Sequence, residues 1–491
     1  MTTSALPALL PAITFTAAVV ATLAGWWRPT VARAVAVATL AVVTVLAAWG
    51  LWHNIDQSEA LVHAVGGWAA PLGIEYILDG LSAFVALLVG TIGLLVLLYP
   101  TKLAFGTSAE PRFPIHGLVL LLVGGLLGVT LAGDLFNLFV ALEIYSLASY
   151  ALVALGGPAA AVASFRYLLV GTVGSSFYLL GVGFLYFRTG TLSMAGVGDE
   201  LDRIGATPSV AVGIAMIVIG LGIKMAVFPL HVWLPDAHSH APPGVAALLA
   251  AVQVKVAAYA LFRILFLVVP LGVIEDTSLL TVLTWASAAG VLVGSWMAVR
   301  QEGIKRMLAH STVAQIGYIG LGIGLGSPLA LVGALLHMVN HAAMKACMFF
   351  VAGSVQQQAG AKKVGDLAGL GPRMPWTAAG FTIAALSMVG LPPTAGFFSK
   401  WYLVAGAAET GAWLVAVVIV ASSVITLIYM LRVIETIWFR PAPERDVDVH
   451  EARPSVVFPI AVLAVGTIVL GLVNLVIVEN VLEPVVALTG R

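Results

Sequence analysis

Residues 214–255 read IAMIVIGLGIKMAVFPLHVWLPDAHSHAPPGVAALLAAVQVK, and one lysine sits in the middle of their apolar run. Lys224 is the only formally charged side chain between Arg203 and Asp236, so a membrane-length helix centred near residues 217–225 must carry an ammonium into the bilayer interior. A charge at that depth costs about 3 kcal/mol on insertion scales, which makes such a residue a functional candidate by default. The plainer alternative is a structural lysine paired with a carboxylate on a neighbouring helix. Beyond it the helix must break, because Pro229 and Pro235 each remove a backbone donor and clash with the preceding turn. Broken membrane helices are tolerated where they line a polar cavity. His231, Asp236, His238 and His240 crowd this break. A titratable lysine beside a histidine-lined break suggests a proton or cation pathway.

The rest of the chain bounds that reading. Of 491 residues, 60% are hydrophobic and 9% charged, and the mean hydropathy is +1.05. This composition excludes a soluble globular protein and demands many membrane spans. Apolar runs of about 20 residues fit helices, whereas barrel strands alternate apolar and polar residues over shorter stretches. The expected fold class is therefore an all-α polytopic membrane protein. The single cysteine, Cys347, excludes a disulfide framework and any iron–sulfur cluster held by this chain alone. With no Gly-rich nucleotide motif between a strand and a helix, no redox centre, cofactor, metal or nucleic-acid partner is expected. The N-terminal stretch MTTSALPALLPAITF lacks a basic n-region and reads as a first span and not a cleaved signal.

Charged and Pro/Gly punctuation divides residues 1–491, taken as a single integral membrane domain, into fourteen expected spans. They lie near 5–26, 31–52, 79–99, 115–132, 135–156, 163–187, 208–234, 243–269, 278–299, 304–325, 328–352, 375–408, 413–439 and 455–478. The twelfth contains Leu391-Pro392-Pro393-Thr394 and is expected to be a second broken helix. Alternate loops collect Arg28, Arg33, Lys102, Arg112, Arg166, Arg300, Lys305, Arg306, Lys362, Lys363, Arg373, Arg440, Arg445 and Arg453. The opposite loops hold only Arg188 and Arg203, with Arg491 at the terminus. The positive-inside rule puts the first set in the cytoplasm and both termini outside a prokaryotic plasma membrane. Lys224, Lys255, Arg263, Lys345, Lys400 and Arg432 fit neither set and fall within expected spans.

Spans four to eight, residues 115–270, and spans nine to thirteen, residues 278–440, each have a proline-broken fourth member. An odd repeat length inverts the topology, so two inverted five-helix repeats are expected, a transporter signature. In span five, Glu143 is the only charge between Asp134 and Arg166, and it too is expected inside the bilayer. Close to Lys224 it could stay ionised and hold the lysine charged, and separation would let the desolvated ammonium lose its proton. A static ion pair pinning two helices is the alternative.

Span five, the HVWLPDAHSHAPP break, residues 305–317 (KRMLAHSTVAQIG) and residues 391–400 (LPPTAGFFSK) resemble the antiporter-like subunits shared by respiratory complex I and Mrp-type multisubunit cation/proton antiporters. The resemblance covers at least residues 115–440. The form GDLFNLFVALEIYSLASYAL, and a chain ending soon after span fourteen, are most similar to the D-type subunits of Mrp antiporters. Residues 236–240 (DAHSH) also resemble complex I and hydrogenase-linked relatives. The resemblance implies that Glu143 and Lys224 form the ion pair gating proton movement. It implies a central relay lysine at Lys255, a polar eleventh span with His337, His341 and Lys345, and a terminal lysine at Lys400. It further implies a transporter subunit, not an enzyme in its own right, whose partners are the other subunits of a hetero-oligomeric complex in the lipid bilayer.

The chemistry agrees. His337, His341 and Lys345 are spaced by four and stack on one helical face with about 6 Å of rise per step, near enough for water to bridge them. Imidazoles exchange protons near neutral pH, and desolvated lysines become usable carriers. His310 carries less weight, Asp236 is expected to cap a half-helix, and Arg263 and Arg432 are expected to snorkel from span ends. Sodium prefers several oxygen ligands, yet the buried charges are mainly lysines. The chain is thus expected to conduct protons, with any sodium route using partner subunits. Two other classes stay open: a proton-pumping subunit of a redox complex, and a structural bundle with fossil charges.

Overall fold

The computed structural model describes residues 5–57, 59–106, 114–442 and 449–490. Arg112, Arg445 and Arg491, which contribute to the expected topology, lie outside the described residues. In hydrocarbon every backbone N–H and C=O must be satisfied internally, so the long apolar runs fold as helices. In chain order these are α1 (Leu6–Trp27), α2 (Pro29–Gln57), α3 (Gly80–Leu98), α4 (Ile115–Leu131), α5 (Leu135–Ala154), α6 (Pro158–Thr189) and α7 (Pro208–Met225). The short α8 (Leu234–His240) follows, then α9 (Pro243–Val268), α10 (Leu279–Val299), α11 (Ile304–Leu325) and α12 (Pro328–Ala359). The last are α13 (Pro375–Val389), α14 (Ala395–Glu409), α15 (Trp413–Phe439) and α16 (Pro454–Leu472). Among the described residues twelve of these are long and apolar enough to cross a membrane, and α4 and α13 are shorter apolar helices.

The seventh expected span, 208–234, holds α7 and the non-helical residues 226–233 and stops where α8 begins, and the twelfth is α13 and α14 separated by residues 390–394. A feature not foreseen is a pair of π-helical turns in α9, Leu249–Gln253 and Ile264–Val268. An antiparallel hairpin pairs β1 (Leu61–Ala64) with β2 (Glu75–Leu78), in the register Leu61 to Leu78. It gathers one set of loops: Tyr76 bridges Ala132, and Asp134 bridges Ser193. On the other set, Gly303 bridges Lys363 and the Lys305 ammonium donates to the Ala241 carbonyl at 2.7 Å. The loops poor in basic residues, which carry Glu75, Asp79, Asp199, Glu200 and Asp202, thus pack together as the acidic loops, and the basic loops pack together likewise.

The core centres on the helices that follow the first break. Membrane windows of α9 and α12 are wholly buried, whereas those of α2 and α6 are mostly open. Phe165, Leu169, Val173, Leu180 and Phe187 project outward from α6, a stripe that suits lipid or a partner subunit and not water. Lipid tails give no hydrophobic drive between helices, so close packing relies on small residues. At the α6–α7 crossing a Cβ on Gly220 would lie 2.6 Å from the Gly174 carbonyl oxygen, and one on Gly181 2.5 Å from that of Gly213. Only glycine lets these backbones approach so closely.

Candidate functional site

The first break places Lys224 one residue before the end of α7. Ala226 turns the chain in a left-handed conformation, φ 64°, and its N–H returns to the Gly222 and Ile223 carbonyls. For a residue with a Cβ that conformation costs about 1–2 kcal/mol, so surrounding contacts must fix it. One such contact is the Trp233 indole, which donates to the Ile223 carbonyl at 2.9 Å. Lys224 is 2% exposed; its ammonium donates to Ser146 Oγ at 2.8 Å and lies 3.5 Å from Glu143 Oε1. The Ser175 hydroxyl donates to the same carboxylate oxygen.

Glu143 departs from expectation in one respect. Its side chain is 31% exposed, not buried, because it lies on the outward stripe of α5 with Phe136, Val140 and Leu147, at helical spacings of four, three and four. One end of the pair is sealed in the protein, and the other opens onto the face that lipid or a partner covers.

From Lys224 a line of hydroxyls runs inward, and nothing in the sequence periodicity pointed to it. Ser149 Oγ donates to the Ser146 carbonyl at 2.7 Å and to Tyr167 Oη at 3.3 Å. The Gln253 amide donates to that same Tyr167 oxygen from α9. Tyr167 stacks on Trp233 at 4.1 Å and meets Tyr150 edge-on at 4.5 Å. Serines 146 and 149, Tyr167 and Gln253 were missed because each alone is an ordinary buried polar residue. Only the packing of α5, α6 and α9 joins them.

Lys255 follows Gln253 by two residues and is 1% exposed. Its ammonium donates to the Ala250 carbonyl, five residues back, within the first π-helical turn. Such wide turns often mark functional sites. Lys255 lies within electrostatic range of Lys345, and His238 within range of both. His238 is fully buried, packs edge-on against Trp233 and Phe349, and neither ring nitrogen has a hydrogen-bond partner among the described residues. A buried imidazole with two unsatisfied nitrogens calls for water or a transient proton. The break advertised this histidine; only the fold sets it between Lys255 and Lys345.

On α12, His337 and His341 stack with ring centroids 5.8 Å apart. His337 is held on both sides, by Ser399 Oγ at 2.9 Å and Gln315 Oε1 at 3.1 Å. His341 has neither nitrogen partnered and lies within electrostatic range of Lys255, Lys345, His337 and Lys400. Lys345 makes no direct hydrogen bond to the histidine one turn back. Its ammonium turns to α11, donating to the Leu308 carbonyl at 2.8 Å and to Ser311 Oγ.

The second break supplies the last lysine. Where α13 ends, its final carbonyls have no partners within the helix. Lys400, on α14, donates to two of them, Met388 at 2.9 Å and Val389 at 3.0 Å, and to Ser423 Oγ at 3.0 Å. The Tyr318 ring lies 4.9 Å below the ammonium. Gly390, φ 95°, closes α13, and a Cβ there would come within 3.1 Å of Lys400 Cδ.

Three peripheral expectations need correction. Asp236 does not cap a half-helix. It joins α6 to α11 through Arg166 at 3.2 Å and Arg306 at 3.6 Å. Arg263 does not snorkel: it is 6% exposed and pairs with Asp79 at 2.8 Å, because the start of α3 brings a carboxylate to it. Arg432 turns to backbone instead, capping the end of α10 through the Val299 and Gln301 carbonyls at 2.9 and 2.7 Å. His310 is buried with Nε2 unpartnered, beside the hydroxyls of Ser311 and Thr312 in sequence.

A helical membrane bundle with two broken helices and a buried file of lysines and histidines defines a proton-translocating, antiporter-like membrane protein. The chain belongs to the family described as NADH:quinone oxidoreductase/Mrp antiporter, TM, which it matches over residues 132–426. It is 46% identical to the NADH-quinone oxidoreductase N subunit of Desulforudis audaxviator, over 88% of this chain and 89% of that one. It is 30% identical to the Na(+)/H(+) antiporter D subunit of Bacillus subtilis, over 83% and 82%. A chain of the membrane-bound sulfane sulfur reductase, an archaeal respiratory membrane complex, superimposes with a TM-score of 0.91 at 31% identity, covering 98% of this chain and 97% of that one. This chain is therefore one subunit of a hetero-oligomeric membrane complex.

Proposed function

We propose that protons cross this chain along Glu143 and Lys224, the Ser146–Ser149–Tyr167–Gln253 hydroxyl and amide line, Lys255, and then Lys345, His341, His337 and Lys400. The observation that carries the reading is the run of buried polar contacts from Lys224 to Gln253, two residues before Lys255 on α9, followed by four lysine and histidine side chains within electrostatic range of His341. Water bridges the remaining gaps, because imidazoles such as His238 and His341 need hydrogen bonds that the described residues do not supply. Departure of Glu143 removes the charge that favours protonated Lys224, and its return recharges it. Residues 115–270 and 278–440 act as two inverted repeats, each contributing one broken helix.

The assembly we favour is a redox-linked complex in which this chain pumps protons and holds no redox centre. Identity of 46% over 88% of the chain to an N-type subunit, against 30% over 83% to a D-type one, supports it. A second reading, the D-type member of an Mrp antiporter exchanging sodium for protons, is supported by that D-type relative and by the span-five segment GDLFNLFVALEIYSLASYAL. In either case sodium is left to partner subunits. Asp134 caps α5, Asp236 is committed to two arginines and Glu435 pairs with Arg440, so these carboxylates do not converge as ligands. Purifying the complex from its native membrane and identifying its chains tests the assembly. Iron–sulfur and nucleotide-binding chains are expected; their absence, with antiporter chains alone present, would select the second reading. We place the chain in the plasma membrane with both termini outside, which terminal reporter fusions check.

A further inference from the structure

On α9, Lys255, Tyr259 and Arg263 follow one another at intervals of four, so they share a face and climb about 6 Å per step toward the acidic loops. The upper two are joined by a hydrogen bond, with Arg263 Nη1 donating to Tyr259 Oη at 2.9 Å. Tyr259 is fully buried and donates to the Thr130 carbonyl at 2.6 Å, which fixes its oxygen. Arg263 Nη2 pairs with Asp79 Oδ2 at 2.8 Å. Asp79 Oδ1 meanwhile accepts from the Ser82 N–H at 2.8 Å, capping α3. The arginine is buried, but the aspartate is 26% exposed among the loops around the hairpin. The second π-helical turn begins immediately after Arg263.

A buried guanidinium is costly unless it is paired and hydrogen-bonded, and here Asp79 supplies the pair and Tyr259 the hydrogen bond. As a structural brace alone, the pair would not need to share a helix face with Lys255 or to connect a buried hydroxyl with a water-accessible carboxylate. We propose that Asp79 is the proton acceptor at the acidic-face end of a branch leaving Lys255, and that Arg263 is the positioning residue that closes this branch.

The inference rests on the proton relay through Lys255. In the step, the Lys255 ammonium becomes an amine, and its proton passes by water beside Tyr259 Oη to Asp79 Oδ2. The carboxylate becomes a neutral acid, its attraction to Arg263 falls, and the proton then leaves to the water the acidic loops face. Arg263 keeps its charge throughout and repels a second proton until Asp79 is again ionised. Between transfers the re-formed pair blocks back-flow.

The test uses the intact complex, purified with its partner chains and reconstituted into vesicles holding a pH-sensitive dye. Driven turnover and passive proton leak are read separately. Asp79→Asn keeps an N-cap acceptor but cannot take the proton, so turnover should fall several-fold while the vesicles stay tight. Arg263→Gln should raise the leak, and Arg263→Lys, which restores the charge, should lower it again. If Arg263→Gln fails to assemble, Asp79→Asn decides alone. Parent turnover in assembled Asp79→Asn overturns the outlet, and a tight Arg263→Gln complex overturns the closure. Lys255→Ala separates this inference from its foundation. A slowed Lys255→Ala complex beside an unaffected Asp79→Asn one removes only the outlet, whereas parent turnover in Lys255→Ala removes the relay itself.

Discussion

Lys224 and Lys400 both sit at a broken helix whose first half ends in a left-handed residue, Ala226 in one case and Gly390 in the other, yet they are held by different chemistry. Lys224 stands on the first half-helix and has a carboxylate 3.5 Å away that is itself partly open to the outer face. Lys400 stands on the second half-helix and meets two terminal carbonyls, a hydroxyl and a tyrosine ring. Carbonyls at a helix C-terminus favour a cation by up to about 2 kcal/mol when partly buried. A full counter-charge can do more, but it can also be withdrawn. On the proposed relay, the first site would switch with the position of one side chain. The second would offer a fixed environment, a resting place whose occupancy follows the supply of protons.

Experiments can break this contrast at several points. Removing either half of the switch should have the largest effect: Glu143→Ala or Lys224→Ala is expected to abolish proton-coupled transport in vesicles while the complex still assembles. Normal transport in an assembled mutant would reduce the pair to a brace between α5 and α7. Next comes Lys400→Ala, which should lose most activity, since among the described residues no other ammonium donates to the Met388 and Val389 carbonyls. A vesicle assay retaining the parent rate would remove Lys400 from the path.

A sharper challenge converts the second site into an imitation of the first. Ser423→Asp offers Lys400 a carboxylate that nothing withdraws, so the proton should be trapped and turnover slowed about tenfold, the equivalent of roughly 1.4 kcal/mol. Faster transport would show that proton affinity at Lys400, not release, limits the rate. Between the two sites the effects should be smaller and graded. Tyr167→Phe, His238→Gln and single changes of Lys255 or Lys345 should each slow transport without stopping it, because water substitutes in part. A full rate in the Lys255→Ala, Lys345→Ala double variant would make both lysines structural. The smallest effect is expected from Asp236→Asn. Its arginine partners are 65% and 49% exposed, and such pairs contribute about 0–1 kcal/mol each, so thermal unfolding of the purified complex should shift little.

The sequence by itself determined the class of fold and where two helices break. These follow from one-dimensional quantities: the length of apolar runs and the places where proline removes a backbone donor. It also singled out the lysines, because a charge inside an apolar run is conspicuous whatever surrounds it. What such a charge touches is not written in its neighbourhood along the chain. Only the tertiary structure decided that Glu143 lies on an open stripe, that Lys345 turns from His341 to the α11 backbone, and that Arg263 finds Asp79, 184 positions earlier, instead of the membrane surface. Ser149, Tyr167 and Gln253 belong to three different helices and carry no signal singly. Hydropathy reports the free energy of moving a residue out of water, which each residue carries with it. Hydrogen bonds and ion pairs depend on the positions of two groups at once, and packing alone supplies the second.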